Sequence, residues 1–380
     1  MEKSIITKKS VKLNLEMKKA QKEARKYYRT SLFEKKKNET KAVIRKSVHM
    51  REILYKDLSD SMNLQMPDLM EVTTKEQLVQ VCRDVNLKGR SGNNFKTGDK
   101  LEKFNCEEGI LLINGVECDP GLVHDGWIYR NHLSKVNEGA RILNNIFHFK
   151  KIILATKEPL KKKETIFEQV KIKDRFPMGY EKFIIKTVLG IEVPEGKYPT
   201  DIGILVLNIQ TVLAIAEILE NRQNGNYKYL TVADLYTAQA YAVRVKSGSN
   251  ITDTIKKVFP DKELNENKVY TGEGALNCHK VHKDECILDT TCFLAIGEMP
   301  DYEKSGKCAK CRRCSKNCPM GVDVFEIVQY VEKNGRVDSN ACMKFHPERC
   351  IKCGACTYNC MSGKDVRGIV AWVKQENIRE

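Results

Sequence analysis

Eight cysteines near the C-terminal end of the chain fall into two blocks of one spacing. Cys308, Cys311, Cys314 and Cys318 follow C-x2-C-x2-C-x3-C with Pro319 next, and Cys350, Cys353, Cys356 and Cys360 repeat that spacing about forty residues later. Two-residue gaps let one tight loop wrap three corners of a [4Fe–4S] cube. The fourth cysteine, opening a helix, points away and ligates the other cube. The spacing therefore predicts one cluster on Cys308, Cys311, Cys314 and Cys360, and a second on Cys350, Cys353, Cys356 and Cys318. Two structural zinc sites are the bland alternative, but zinc usually takes two cysteine pairs parted by a longer loop. Disulfides are the other. Met361 stands where the second block would carry proline, which changes a turn and removes no ligand. Cys342 is off the pattern and reads as a bystander.

The rest of the composition fits a chain that holds metal through reduced thiols. Nine of the fifteen cysteines lie between Cys308 and Cys360, whereas a secreted disulfide scaffold is short and carries its cysteines throughout. No run approaches the roughly 20 apolar residues of a spanning helix, and MEKSIITKKS has no apolar signal core. The expectation is a cytoplasmic protein. At 380 residues there is room for two or three domains. The formal charge is +15, and residues 1–60 carry +10 of it. Val11–Tyr28 has helical spacing, with Leu13, Met17, Ala20 and Ala24 on one stripe. This basic extension reads as a solvated helix, an arm for an acidic partner, or a contact for nucleic acid or an anionic membrane. Aromatics are not interleaved with its cations, and nothing resembles a nucleic-acid motif.

The elements that would position a second cofactor come after Met66-Pro67. Ile110–Ile113 and Lys151–Ala155 read as buried strands flanking a helix over His132–Phe147, an order that predicts a parallel sheet in an α/β layer. A third strand at Ile202–Leu207 leads into a helix at Thr211–Leu219. A small separate module follows: strands at Tyr229–Val232 and Ala238–Val245, a helix at Thr252–Val258, and a closing strand at Lys268–Tyr270. Three loops stand where ligands bind. Gly89 and Gly92 lie in KGRSGNNF before a possible helix at Thr97–Phe104, and such loops bring N–H groups to a phosphate. Asn114-Gly115-Val116-Glu117-Cys118-Asp119-Pro120-Gly121 follows a strand directly, and so does Asn208-Ile209-Gln210-Thr211. The carboxyl ends of parallel strands are where open α/β sheets bind ligands. Taken singly, the first loop is no G-x-G-x-x-G, the second could be an ordinary turn, and Asn208 or Thr211 could merely cap a helix.

Taken in order, these stretches resemble a family. GRSGNNFKTGDKL at 89–101, INGVECDPG at 113–121, FPMGYEK at 176–182, EVPEGKYPTDIGILVLNIQT at 192–211, TTCFLAIGE at 290–298 and the cysteine blocks are similar to the RnfC subunit of the Rnf electron-transfer complex. More distantly they resemble the flavin subunit of respiratory NADH dehydrogenase. The resemblance implies an FMN- and NADH-binding α/β domain at 67–225, a β-grasp module at 226–275 and a helical dicluster ferredoxin domain at 276–380; the basic extension at 1–66 lies outside it. It implies FMN, NADH and two [4Fe–4S] clusters. Gly89 and Gly92 would flank the flavin phosphate or NADH, Phe95 would stack on nicotinamide and Lys100 would touch phosphate. Asn114, Glu117, Glu181, Asn208 and Thr211 would form the flavin pocket.

No side chain is assigned a catalytic role, because the cofactors carry the chemistry. The implied function is NADH-dependent electron transfer to a partner reductase or electron-transfer subunits, with no nucleic acid. Its place would be the cytoplasm, peripheral to a membrane complex on the cytoplasmic face. Relatives carry G-x-G-G-A-x-F-P in the first loop, where this chain has Ser91, Asn93 and Lys96. Side chains there fill space that the backbone needs next to a phosphate. Two alternatives follow: a flavin-free or NADH-independent relay, and a reductase component of a soluble fermentation enzyme of the proline-reductase or cobalamin kind.

Overall fold

The computed structural model describes residues 54–58, 72–92, 95–117, 119, 121–174, 176–194, 196–221, 227–237, 239–275, 277–298, 307–335 and 338–379. The basic helix expected at Val11–Tyr28 lies outside them. Two units divide the chain, one built on 45–174 with 178–297, the other chiefly on 298–380.

The larger unit opens with strand β1 (Leu54–Asp57), then helices α1 (Lys75–Asp84) and α2 (Thr97–Lys103). Thr74 and Gln77 form a reciprocal capping box at the start of α1, satisfying two donors that the first turn leaves open. The expected α/β layer follows: β2 (Ile110–Gly115), α3 (His124–Asn131), α4 (Leu133–Phe147), β3 (Lys151–Thr156), β4 (Glu168–Lys171), α5 (Glu181–Leu189), β5 (Ile204–Asn208) and α6 (Ile209–Asn221). Its four strands are all parallel, in the order β4-β3-β2-β5. Leu111, Leu112 and Ile113 are fully buried in β2; such side chains each stabilise by about 1.5–3 kcal/mol. They form one continuous apolar run because a parallel sheet is covered on both faces.

Helices α4 and α6 pack so closely that a Cβ on Gly139 would collide with the carbonyl oxygen of Val212. Gly139→Ala is therefore expected to destabilise by about 1–3 kcal/mol, because overpacking outweighs the gain in helix propensity. Urea unfolding of the two forms checks this.

The same unit holds a second sheet. Strands β6 (Tyr227–Asp234) and β7 (Gln239–Lys246), helix α7 (Ile251–Val258), and strands β8 (Val269–Gly274), β9 (Asn277–Lys280) and β10 (Phe293–Ile296) complete it. The order is β1-β7-β6-β10-β8-β9, with β10 parallel to β6 and antiparallel to β8. Leu230, Val243, Ile251, Ile255 and Leu294 share its core with α7.

This corrects the expected boundaries at three places. Residues 54–57, assigned to the extension, are an edge strand paired with Tyr241–Arg244. Lys268–Tyr270 begins β8 but does not close the sheet. FLAI at 293–296, assigned to the ferredoxin domain, is the central strand, every residue of it buried. Sequence order misleads here because β10 enters between strands made earlier.

The smaller unit contains α8 (Arg313–Lys316), α9 (Val324–Asn334), α10 (Ser339–Cys342), α11 (Ala355–Tyr358) and α12 (Val366–Arg379). It is an internal repeat at an offset of 42 residues, since each cysteine from 308 to 318 has its counterpart from 350 to 360. The local geometry repeats too. Ser315 Oγ donates to Asp323 and accepts from Phe325 N, while Thr357 Oγ1 donates to Asp365 and accepts from Arg367 N. Lys310 and Lys352 both sit at φ +53°. Among the described residues no helix is long and apolar enough to cross a membrane.

Candidate cofactor sites

Asn114, Glu117 and Asn208, three of the residues expected round a flavin, gather where the sheet order reverses. The chain leaves β2 for β3 and β4 on one side, then returns to lay β5 on the other, which makes the crevice beyond β2 and β5 a topological switch point. Asn208 ends β5 and Asn114 is the last residue but one of β2, the two being direct neighbours in register. Both amides are engaged with the chain itself. Asn114 Nδ2 donates to Gly179 O at 2.8 Å and its Oδ1 accepts from Val116 N at 3.0 Å. Asn208 Nδ2 donates to Asp125 Oδ2 at 2.8 Å and its Oδ1 accepts from Gln210 N at 2.8 Å.

Glu117 accepts from Gly126 N at 3.0 Å, so the first turn of α3 ties both strand ends together. Burial raises the pKa of Glu117, and the neighbouring carboxyl of Asp125 raises it further. Burial raises Asp125 as well, with Asn208 opposing. Asp125 Oδ1 is buried with no hydrogen-bond partner. The sequence reading missed Asp125. Its only signal is a polar His-Asp-Gly at a helix start directly after a Pro-Gly turn.

The glycine loop closes on itself: Gly89 N donates to Phe95 O at 2.8 Å, and Arg90 N donates to Thr211 Oγ1 at 3.2 Å. Gly92 holds φ +84° in buried surroundings, a backbone that side chains rarely adopt. Thr211 is thus joined to the loop. Lys100 pairs with Glu181 at 2.7 Å. Phe95 is 40% exposed, with Lys103 Nζ 5.5 Å from its ring centre. Asn93 and Cys118 lie outside the described residues.

Beside this crevice the two sheets of the larger unit are bonded together. Gln210 exchanges two bonds with the backbone of Tyr229, and Thr231 Oγ1 accepts from Val123 N at 3.0 Å and meets His124 Nδ1 at 3.0 Å. Burial depresses His124 to about 3, helped by Lys228. Above pH 6.5 the imidazole is neutral folded or unfolded. Below it the unfolded chain gains a proton that the folded chain refuses, so stability falls from pH 6.5 towards pH 3. The expected contribution is about 1.4 kcal/mol per pH unit. Comparing denaturant midpoints of wild type and His124→Gln across that range isolates it.

In the smaller unit the eight block cysteines line two cavities. Cys308, Cys311, Cys314 and Cys360 surround one; Cys318, Cys350, Cys353 and Cys356 surround the other. Each fourth cysteine has crossed to the other block's cavity. Backbone N–H groups face the sulfurs: Lys310 N to Cys308, Lys352 N to Cys350 and Lys364 N to Cys360, each at 3.4 Å. Burial pushes the Cys314 and Cys318 thiols up to about 11, and Cys356 well up.

Four thiols and their amide donors suit a sulfur-ligated cluster. Among the described residues no three ligating side chains converge on the position of a single ion. All the described cysteines are free thiols.

Comparison with known proteins shows what these sites resemble. A model of the Nuo51 FMN-binding domain matches residues 82–217, and one of the 4Fe-4S dicluster domain matches residues 307–364. The C subunit of the ion-translocating oxidoreductase complex of Buchnera aphidicola subsp. Baizongia pistaciae is 26% identical over 66% of this chain and 52% of its own length. That of Vibrio cholerae is 24% identical over 67% and 34%.

The chain is RnfC-like. It spans about half the length of the first of these relatives and a third of the second. The fold is also that of a chain in the crystal structure of an NAD+-reducing [NiFe]-hydrogenase in the H2-reduced state, at TM-score 0.54 and 14% identity. That match covers 82% of the RnfC-like chain and 63% of the other.

Proposed function

We propose that this RnfC-like chain passes electrons from NADH, through FMN at the switch-point crevice, to two [4Fe–4S] clusters and on to a partner electron-transfer subunit. The observation that carries it is the crossed grouping of eight cysteines round two cavities, in a chain that also carries an FMN-domain match. Cys308, Cys311, Cys314 and Cys360 would ligate one cluster, and Cys318, Cys350, Cys353 and Cys356 the other. FMN supplies the step from two-electron hydride chemistry to single-electron transfer.

The residues of this chain supply the placement. Asn114 and Asn208 fix the strand ends, while Glu117 and Asp125 sit beneath as an acid pair whose burial favours holding protons. Gly92, held at φ +84°, and Gly89, without side chains, would let the loop backbone approach a phosphate, and Lys100, tethered to Glu181, would add charge there. Phe95, presented at the surface, would stack on nicotinamide. Cys311 is exposed, and the surrounding segment 307–316 carries Lys307, Lys310, Arg312, Arg313 and Lys316 with no acid. That suits an acidic partner.

Anaerobic purification with flavin and iron analysis tests the reading. It requires about one flavin and about eight irons per chain, with absorbance bleached by NADH. Iron without flavin would instead support a relay between proteins, a reading favoured by Ser91 and Lys96 in the phosphate loop. Absence of iron overturns both.

A further inference from the structure

The two halves of the cluster unit repeat in backbone and in cysteines, so the places where the repeat fails mark what differs between the two cavities. At an offset of 42, Arg367 corresponds to Phe325, and Lys374 to Glu332. Phe325 lines the cavity of Cys308, Cys311, Cys314 and Cys360; Arg367 lines that of Cys318, Cys350, Cys353 and Cys356. Both side chains hang from the same local frame, a backbone N–H held by Ser315 or by Thr357.

The cations at the first cavity are offset by carboxylates. Arg312 pairs with Glu326 at 2.7 Å, and Lys364 with Glu332 at 3.0 Å. At the second cavity no carboxylate pairs with Arg367 among the described residues, and its Nη1 is buried with no acceptor. Lys374 reaches the same cavity's wall, donating to Cys350 O at 2.8 Å.

We propose that Arg367 sets the two clusters at different reduction potentials, by donating a hydrogen bond and positive charge to the cluster held by Cys318, Cys350, Cys353 and Cys356. This rests on the two-cluster reading above. Reduction adds one electron and one negative charge to a cluster already ligated by four thiolates. A half-buried guanidinium whose Nη1 donor is buried and open stabilises the reduced state more than the oxidised one, since hydrogen bonds to cluster sulfurs and local charge set the potential. Phe325 offers neither to the other cluster. The Arg367 cluster is therefore the more easily reduced of the two, and an electron shared between them rests there.

The test is an EPR-monitored redox titration of the full chain, with iron counted on each sample. Wild type should show two midpoints. Arg367→Gln should lower only the higher one, by about tenfold in the one-electron equilibrium, which is about 59 mV. Arg367→Lys, keeping charge without the planar donor, should fall between, and Phe325→Leu should leave both in place.

Unchanged midpoints in an Arg367→Gln protein with full iron, or equal movement of both, would overturn the proposal while leaving the clusters intact. If Arg367→Gln loses iron, Arg367→Lys gives the reading, and a wild-type midpoint there overturns the role of the planar donor. A wild type without iron would instead fail the cluster reading itself.

Discussion

Iron content should fall by about half when Cys314 is replaced by alanine, because the change removes one of four sulfurs from one cube and leaves the other complete. Cys314 lines a cavity with Cys308, Cys311 and Cys360, and none of the four contributes to the second cavity. Cys360→Ala should give the same loss as Cys314→Ala although it lies in the other sequence block. Cys318→Ala should spare the Cys314 cluster and empty the other. Cys342→Ala, off the spacing, should keep full iron. Iron and acid-labile sulfide assays on anaerobically purified protein decide this. Unchanged iron in Cys314→Ala, or loss from Cys342→Ala, would refute the ligand assignment.

The second large effect is expected at the flavin side. Asn114→Ala should lose most of its flavin and retain its iron. The amide of Asn114 holds the Gly179 carbonyl on one side and Val116 N on the other. Removing it strips two buried backbone groups of their partners, at about 1–3 kcal/mol each. The loop carrying Glu117 then loses its anchor at the end of β2, and so does the segment leading to Glu181. Flavin-to-iron ratio is the measurement, since it separates a local collapse of the crevice from failure to fold. An equal loss of both cofactors would show that Asn114 serves the whole protein rather than this pocket.

Much of the architecture was legible from periodicity. Strands β2, β3 and β5 are uninterrupted apolar runs, and a doubly covered parallel sheet writes itself that way. Helices α4 and α6 carry the helical spacing that buries one face. The second sheet was legible only in its first half. Its central strand β10 comes from 293–296, after nearly sixty residues of intervening chain, and β1 comes from 54–57, inside a segment dominated by charge. Four-residue strands give no periodicity to read. What fixes them is the unpaired edge or gap that a partly built sheet presents.

Among the candidate residues, Asn114 and Asn208 were visible because they follow strands directly, and Glu117 because it lies three residues beyond the first. Asp125 was not visible. A carboxylate in the first turn of a helix is usually a solvated cap, and only packing against Asn208 makes this one a buried member of the crevice.

By itself, the sequence determined the chemistry available: eight thiols at a spacing that suits two cubes, and polar groups at the carboxyl ends of apolar strands. Those follow from covalent distance along the chain. The tertiary structure decided the rest, because it depends on distances between segments far apart in sequence. It put Asn114 beside Asn208 across a parallel pair, and it filled one place in an otherwise repeated frame with a phenylalanine and the other with an arginine.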